Sequence, residues 1–231
     1  TGEQFIAWMH SPENNRAPGN TCLTGTRNFE NGLPWRESGV RHSKGCGSAM
    51  RVAPIGYLYQ HHPERLKEVA LASGIITHGH PAAQAASIAA AYMVKLALDG
   101  MHPNNWFQPL LAFVDGISEE FDAAILRVGH VEGWTNHIHA LHHIGQGWVG
   151  EEAVAMALYC VRQCPDNYAG AVCLGANIAG DSDSVACIAG GISAARCGLA
   201  AIPADWRHRC EKRDYLLSLG ERLAQKRSQM A

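Results

Sequence analysis

The chain has 231 residues, which is enough for one well-buried core and too few to require two domains. Its 19 basic and 21 acidic side chains nearly balance, so the composition points neither to nucleic acid as a partner nor to an acidic disordered tail. No apolar run reaches membrane-spanning length and no signal peptide opens the chain, which predicts a cytoplasmic protein that does not bind a membrane.

Small residues are abundant and runs of β-branched residues are scarce, which favours closely packed helices over sheets. The spacing of apolar residues predicts helices over residues 2–9, 47–59, 64–76, 82–98, 104–113, 118–128, 151–163 and 184–199, with a last one starting at Pro203. The helix over residues 47–59 is expected to tolerate Pro54 only as a kink.

Two regions lack a helical pattern. Residues 10–44 are rich in Asn, Gly and Pro and are predicted to be irregular, and residues 129–149 fit no regular element. No segment alternates with period two, and neither a repeat nor a linker is visible. The sequence therefore predicts a single all-α domain over residues 1–231.

Eight cysteines are distributed along the chain, and four of them lie in small apolar runs such as residues 185–188. The chain is much larger than the small secreted domains that depend on disulfides. We therefore expect reduced, buried thiols, as in a cytosolic protein.

Residues 180–184 place two carboxylates and a hydroxyl at the start of a helix of very small residues. One interpretation is helix capping, because Asp and Ser are favoured at a helix N-terminus and the helix dipole stabilises negative charge there. A single Asp would suffice for a cap, whereas Asp181 and Asp183 repel each other unless a cation neutralises them. Hard divalent cations prefer oxygen ligands, so this acidic cap (residues 181–184) is also a candidate metal site.

Three further segments combine glycine with polar or aromatic side chains. Residues 44–51 form a glycine-rich turn that leads into a helix, where exposed amides suit a phosphate, although an ordinary turn explains the pattern as well. Residues 76–81 carry His78 and His80 just before a helix, and isolated histidines are more often packed or exposed than functional. Residues 145–149 put two glycines beside Trp148, which suits either a ligand pocket or a simple change of chain direction.

A second hypothesis for a metal site comes from His139, His142 and His143, which share one face of a helix. Such a cluster suits a transition metal. No thiolate or carboxylate completes the set, however, and solvated histidine clusters are common, so an exposed polar face is the competing interpretation.

Taken in order, these segments resemble the ADP-ribosylglycohydrolase family, whose members include the bacterial dinitrogenase reductase-activating glycohydrolase. The matching segments are residues 19–21, 44–54, 77–81, 145–153 and 177–198, together with Ile202, Pro203 and Trp206. The family's usual Asp-x-Asp-Thr ending corresponds to residues 181–184, where Ser184 replaces the threonine and preserves its hydroxyl.

The resemblance implies an orthogonal helical bundle that holds two Mg²⁺ or Mn²⁺ ions at the floor of a cleft. It also implies hydrolysis of the ribose C1″ bond that links ADP-ribose to a protein side chain, with ADP-ribosylated protein or ADP-ribose as the partner. The implied metal ligands are Asp181, Asp183 and Ser184. The implied substrate-binding residues are Gly45, Cys46, Gly47, Ser48, His78, Gly147 and Trp148.

The chain departs from the family in one respect. The family's other metal ligands, a Thr-Asp-Asp-Thr run and earlier Gly-Asp and Glu segments, fall ahead of the region that matches Thr1, and no Thr-Asp-Asp occurs in the 231 residues. Because a hard cation takes about six oxygens, the acidic cap alone does not complete the site. We therefore expect either a hydrolase whose remaining ligands lie in a separate segment, or a non-catalytic ADP-ribose-binding or structural protein.

Overall fold

The computed structural model describes residues 1–230, which fold mainly into helices. Their thirteen α-helices are α1 (Gly2–Met9), α2 (Asn20–Glu30), α3 (Ala53–Leu58), α4 (Pro63–Ile75), α5 (Pro81–Leu98), α6 (Phe107–Val114), α7 (Glu119–His130), α8 (His137–Ile144), α9 (Gly150–Gln163), α10 (Tyr168–Ala176), α11 (Ser182–Cys197), α12 (Ala204–Arg209) and α13 (Arg213–Ser228). Extended pairing within residues 1–230 is limited to two isolated bridges, Val40 with His78 and Gly45 with Val149. The all-α prediction is therefore confirmed. None of these helices is both long and apolar enough to span a membrane, as far as the described residues go.

Helices α5 and α9 form the centre of the fold. Most of their side chains are buried, and α5 packs against α3, α4, α9 and α11. Glycine allows α3 to approach closely, because a Cβ at Gly56 would lie 2.2 Å from the Ala91 carbonyl oxygen. Large side chains fill the surrounding space, among them Trp106, Tyr159 and Phe121. Burial of each such side chain stabilises the fold by about 2–3 kcal/mol.

The N-terminal region contains a helix that the sequence pattern does not reveal. Helix α2 lies within residues 10–44, so the prediction of an irregular segment is wrong there. Glycine interrupts the apolar pattern of α2 for a structural reason, since a Cβ at Gly25 would lie 2.5 Å from the Cα of Thr77. The close contact joins α2 to the segment that follows α4.

The continuous helix predicted over residues 47–59 is also wrong. The chain instead forms a 3₁₀ helix over Cys46–Arg51, and α3 begins after Val52. Pro54 falls in the first turn of α3, where its missing N–H removes no intrahelical hydrogen bond. A proline near a helix start therefore divides the segment and does not kink it.

Three further differences concern the second half of the chain. Residues 129–149 contain α8, whose start is capped by the Asn136 side chain. Helix α10 has no counterpart among the predicted helices, and Asn167 caps it by accepting a hydrogen bond from the amide of Gly170. The helix predicted from Pro203 onward is two helices, α12 and α13. Short, Gly-rich helices such as α10 depend on packing more than on their own sequence pattern.

All eight cysteines are free thiols. Cys46 and Cys160 are buried, as expected, and Cys22, Cys164 and Cys197 are half-buried. The remaining three are exposed, so the prediction of buried thiols is wrong for Cys173, Cys187 and Cys210. Each exposed cysteine lies on a helix face or loop that the core does not cover.

Candidate functional site

The glycine turn (residues 45–48) lies at the start of the 3₁₀ helix and is fixed on both sides. The Lys44 carbonyl accepts a 2.6 Å hydrogen bond from the amide of Gly150, and the Ser48 hydroxyl donates to the Ala83 carbonyl at 3.4 Å. The turn passes directly over His78, because a Cβ at Gly45 would lie 3.3 Å from the Nε2 atom of His78. The structure thus brings together two segments that are 30 residues apart in sequence.

His78 is held by a short chain of hydrogen bonds. Its Nδ1 atom lies 2.8 Å from the Thr77 hydroxyl, which accepts a 2.7 Å hydrogen bond from the Arg51 guanidinium. Only 2% of the residue is exposed, and this burial, with a smaller contribution from the charge of Arg51, lowers the pKa of His78 to about 4. The imidazole is therefore neutral at pH 7, with Nε2 beside the glycine turn.

The acidic cap meets the glycine turn from the other side. Asp181 is the N-cap residue of α11, and its Oδ2 atom accepts a 3.0 Å hydrogen bond from the Cys46 thiol. The same sulfur lies 3.3 Å from the Ser184 hydroxyl. Burial first, and the Asp181 carboxylate second, raise the pKa of Cys46 to about 12, so this thiol keeps its proton. Asp183, two residues after Asp181 in the same cap, is exposed.

The tryptophan loop (residues 145–149) forms the third part of the site. Its Gln146 carbonyl accepts a 2.8 Å hydrogen bond from the amide of Asp181. Gly147 has φ +83° and is buried against α11, so that a Cβ there would lie 2.9 Å from the Cγ2 atom of Val185. The adjacent Trp148 is 59% exposed, which leaves its indole free to contact a ligand.

The geometry therefore joins the predicted site residues into one region. The glycine turn contacts His78, and Cys46 contacts both Asp181 and Ser184. The tryptophan loop is hydrogen-bonded to the amide of Asp181. The neutral imidazole of His78 and the thiol of Cys46 lie in the turn region, and the carboxylates of the acidic cap lie at the start of α11. Such an arrangement suits a ligand that carries both hydroxyl groups and phosphate.

The oxygen donors of the acidic cap suit Mg²⁺ or Mn²⁺ by their chemistry, since both are hard cations. Their number is smaller than the six or so that such an ion takes. Across residues 1–230, no group of three or more His, Cys, Asp or Glu side chains is placed to hold a metal ion. The acidic cap therefore fits part of a divalent-cation site. The hypothesis of a histidine site on α8 finds no support, because His139, His142 and His143 are all exposed and form no such group.

Three glutamates that are not among the predicted site residues also contact the segments of the site. Glu151 forms a 2.7 Å ion pair with Lys44, just before the glycine turn, and Glu120 pairs with the same ammonium group at 3.0 Å. These two hydrogen-bonded carboxylates raise the pKa of Lys44. Glu152 accepts hydrogen bonds from the amides of the tryptophan loop. For Glu151 and Glu152 the available signal is their position, directly after the tryptophan loop and in the first turn of α9.

The sequence model of the ADP-ribosylglycohydrolase family matches residues 1–231. The chain is 28% identical to an uncharacterized protein of Archaeoglobus fulgidus, over 91% of this chain and 67% of that protein. It is 23% identical to the ADP-ribosylhydrolase ARH3 of Danio rerio, over 80% of this chain but only 58% of that protein. A solved structure, described as an ADP-ribosylglycohydrolase-related protein complex, has the same fold with a TM-score of 0.76 at 23% identity, covering 99% of this chain and 74% of its own.

Proposed function

The chain belongs to the ADP-ribosylglycohydrolase family, and from this premise we propose that it acts as a hydrolase on ADP-ribose linked to protein side chains. The bond cleaved is the one at ribose C1″. The observation that carries this proposal is the contact between two separate family segments, in which Cys46 of the glycine turn touches Asp181 and Ser184 of the acidic cap. The Danio rerio relative is named an ADP-ribosylhydrolase, which is the same class of enzyme.

In this proposal the amides of the glycine turn bind the diphosphate. Gly45 and Gly47 have no side chains that could obstruct a phosphate, and Cys46 begins a 3₁₀ helix whose first amides lack intrahelical acceptors. The exposed indole of Trp148 stacks on the adenosine. His78, neutral at pH 7 and covered by the glycine turn, would contribute to substrate binding by supporting that turn without adding positive charge.

Asp181, Asp183 and Ser184 would bind the divalent cations, two Mg²⁺ or Mn²⁺ ions by analogy with the family. When bound, these ions supply a positive charge that orients the ribose hydroxyls and activates water. The chain's own contribution is to hold the carboxylate of Asp181 against Cys46, whose thiol is a proton donor and not a competing thiolate ligand. We propose that the single domain over residues 1–231 needs further ligands from a separate segment, because its own donors fall short of six.

A second candidate function is that of a non-catalytic ADP-ribose-binding protein on the same fold. The small donor set of the acidic cap favours it, because binding of the diphosphate and adenosine does not require a complete cation site. The two candidates differ in the response to metal and in the release of ADP-ribose.

Two assays separate these functions. Calorimetry with ADP-ribose, with and without Mn²⁺, measures binding, and release of ADP-ribose from peptides modified on arginine or on serine measures hydrolysis and the acceptor residue. For the hydrolase we expect release that depends on Mg²⁺ or Mn²⁺ and is lost in Asp183→Asn. The matched control is Asp214→Asn, whose carboxylate lies exposed at the start of α13. If ADP-ribose binds but is not released from the peptides, even when a segment that supplies further ligands is added, the second candidate is favoured. Absence of ADP-ribose binding would refute both candidates.

A further inference from the structure

Adjacent carboxylates at the start of α9 contact different parts of the candidate site. Glu151 is 4% exposed and pairs with Lys44 at 2.7 Å, on the side of the glycine turn. Glu152 contacts the tryptophan loop instead, since its Oε2 atom accepts hydrogen bonds from the amides of Gln146 at 2.8 Å and Gly147 at 3.2 Å. One carboxylate oxygen thus fixes two consecutive amides of the loop.

The contact between Glu152 and the loop is close because the loop begins with glycine. A Cβ at Gly145 would lie 2.5 Å from the Cδ atom of Glu152, so only glycine lets the carboxylate lie against the backbone. Hydrogen bonds to an ionised acceptor are stronger than neutral ones, and both amides belong to a segment without helical partners of its own. Glu152 therefore takes the place of regular backbone pairing in this loop.

The fixed loop in turn holds the acidic cap. The Gln146 carbonyl, between the two amides that Glu152 binds, accepts the 2.8 Å hydrogen bond from the amide of Asp181. The preceding residue must be glycine, because a Cβ at Gly180 would lie 1.9 Å from that carbonyl oxygen. The side chain of Asp181 then reaches the Cys46 thiol at 3.0 Å. Contacts thus run without a break from Glu152 to the carboxylate of Asp181.

We infer that Glu152 is a positioning residue of the proposed ADP-ribose site, which fixes the tryptophan loop and through it the orientation of Asp181. The assignment of the site rests on the proposed function, whereas the link between Glu152 and Asp181 rests on the backbone contacts. The competing explanation is that both glutamates only complement the dipole of α9 from its first turn. Under that explanation Glu151 and Glu152 are equivalent, and neither affects Asp181 in particular.

Amide hydrogen exchange of the full chain, resolved by residue, distinguishes these explanations. Glu152→Ala should accelerate exchange at Gln146, Gly147 and Asp181 by about tenfold, the ratio that corresponds to the loss of one charge-assisted hydrogen bond. Glu152→Gln keeps an acceptor oxygen, so it should restore part of this protection. The matched control is Glu151→Gln, which alters the same helical turn and should leave Asp181 protected. The affinity for ADP-ribose in the presence of Mn²⁺ should fall severalfold in both Glu152 variants.

Unchanged exchange at Asp181 in the Glu152 variants, or an equal increase in Glu151→Gln, would overturn the inference. If Glu152→Ala does not fold, comparison of the exchange rate at Asp181 between Glu152→Gln and Glu151→Gln answers the same question. A wild-type chain that fails to bind ADP-ribose would refute the proposed function, and the exchange at Asp181 would still decide whether Glu152 positions that residue.

Discussion

Substitution of Gly147 by Ala tests whether the tryptophan loop is packed as tightly as the structure indicates. Gly147 has φ +83°, a conformation that costs an L-residue about 1–2 kcal/mol. The new Cβ would also lie 2.9 Å from the Cγ2 atom of Val185 and 3.3 Å from the Asp181 carbonyl oxygen. Overpacking of a buried contact costs about 1–3 kcal/mol. We therefore expect Gly147→Ala to lower the free energy of unfolding by about 2–5 kcal/mol, measured by urea denaturation.

The matched control separates the two contributions. Gly133 has nearly the same backbone angle, φ +80°, but nothing lies within 4 Å of the position of its Cβ. Gly133→Ala should therefore lower the free energy of unfolding by only the conformational cost of about 1–2 kcal/mol. In both variants a less flexible unfolded chain offsets a small part of the loss. Equal losses of stability in the two variants would refute the packing of the loop against α11.

Three further predictions follow from the site. The pKa of His78 is about 4 in the folded protein and near 6.5 in the unfolded chain. Because the unfolded chain binds the proton first, the free energy of unfolding should fall by about 2–4 kcal/mol as the pH drops from 7 to 4. The urea midpoint of His78→Gln should therefore depend less on pH than that of the wild type. Gly47→Val should weaken ADP-ribose binding in calorimetry, because its side chain would press on Cys22 and His78 and displace the glycine turn. Lys44→Met leaves the buried carboxylate of Glu151 unpaired and should cost about 3 kcal/mol of stability in urea, against less than about 1 kcal/mol for the exposed pair lost in Arg65→Met.

The sequence predicts the long helices well because their signals are local. Helix α5 has Pro81 at its first position and an apolar pattern that continues to Leu98, and α7 has Ser118 as its cap. Helices α2 and α10 lack a continuous apolar pattern, although Asn167 caps the start of α10. Their glycines serve contacts with other segments, as at Gly25 against Thr77 and Gly175 against Val185, and those partners lie outside the helix concerned. A helix that owes its glycines to its neighbours looks irregular when its sequence is considered alone.

The candidate site was predictable as a set of segments but not as a geometry. The acidic cap and the glycine turn are recognisable from their residue types, and the structure adds that Cys46 connects them through Asp181 and Ser184. Cys46 is predicted as a substrate-binding residue, but its contact with the acidic cap could not be predicted, because a lone cysteine beside glycines carries no signal of what lies opposite it. The buried state of His78 could not be predicted either, since its burial results from the glycine turn passing over its ring.

The glycines of the site show how a family pattern follows from packing. Gly145, Gly147 and Gly180 lie where two backbone segments or a backbone and a carboxylate approach within contact distance, and a Cβ at any of them would be 2.9 Å or less from a neighbouring atom. The three contacts have one result in common, since each brings the tryptophan loop against Glu152 or the start of α11. Because the amide of Asp181 is bonded to that loop, a change at any of the three glycines should displace the carboxylate of Asp181 as well. These glycines therefore act on the site through backbone geometry, although none of them has a side chain to contribute to binding.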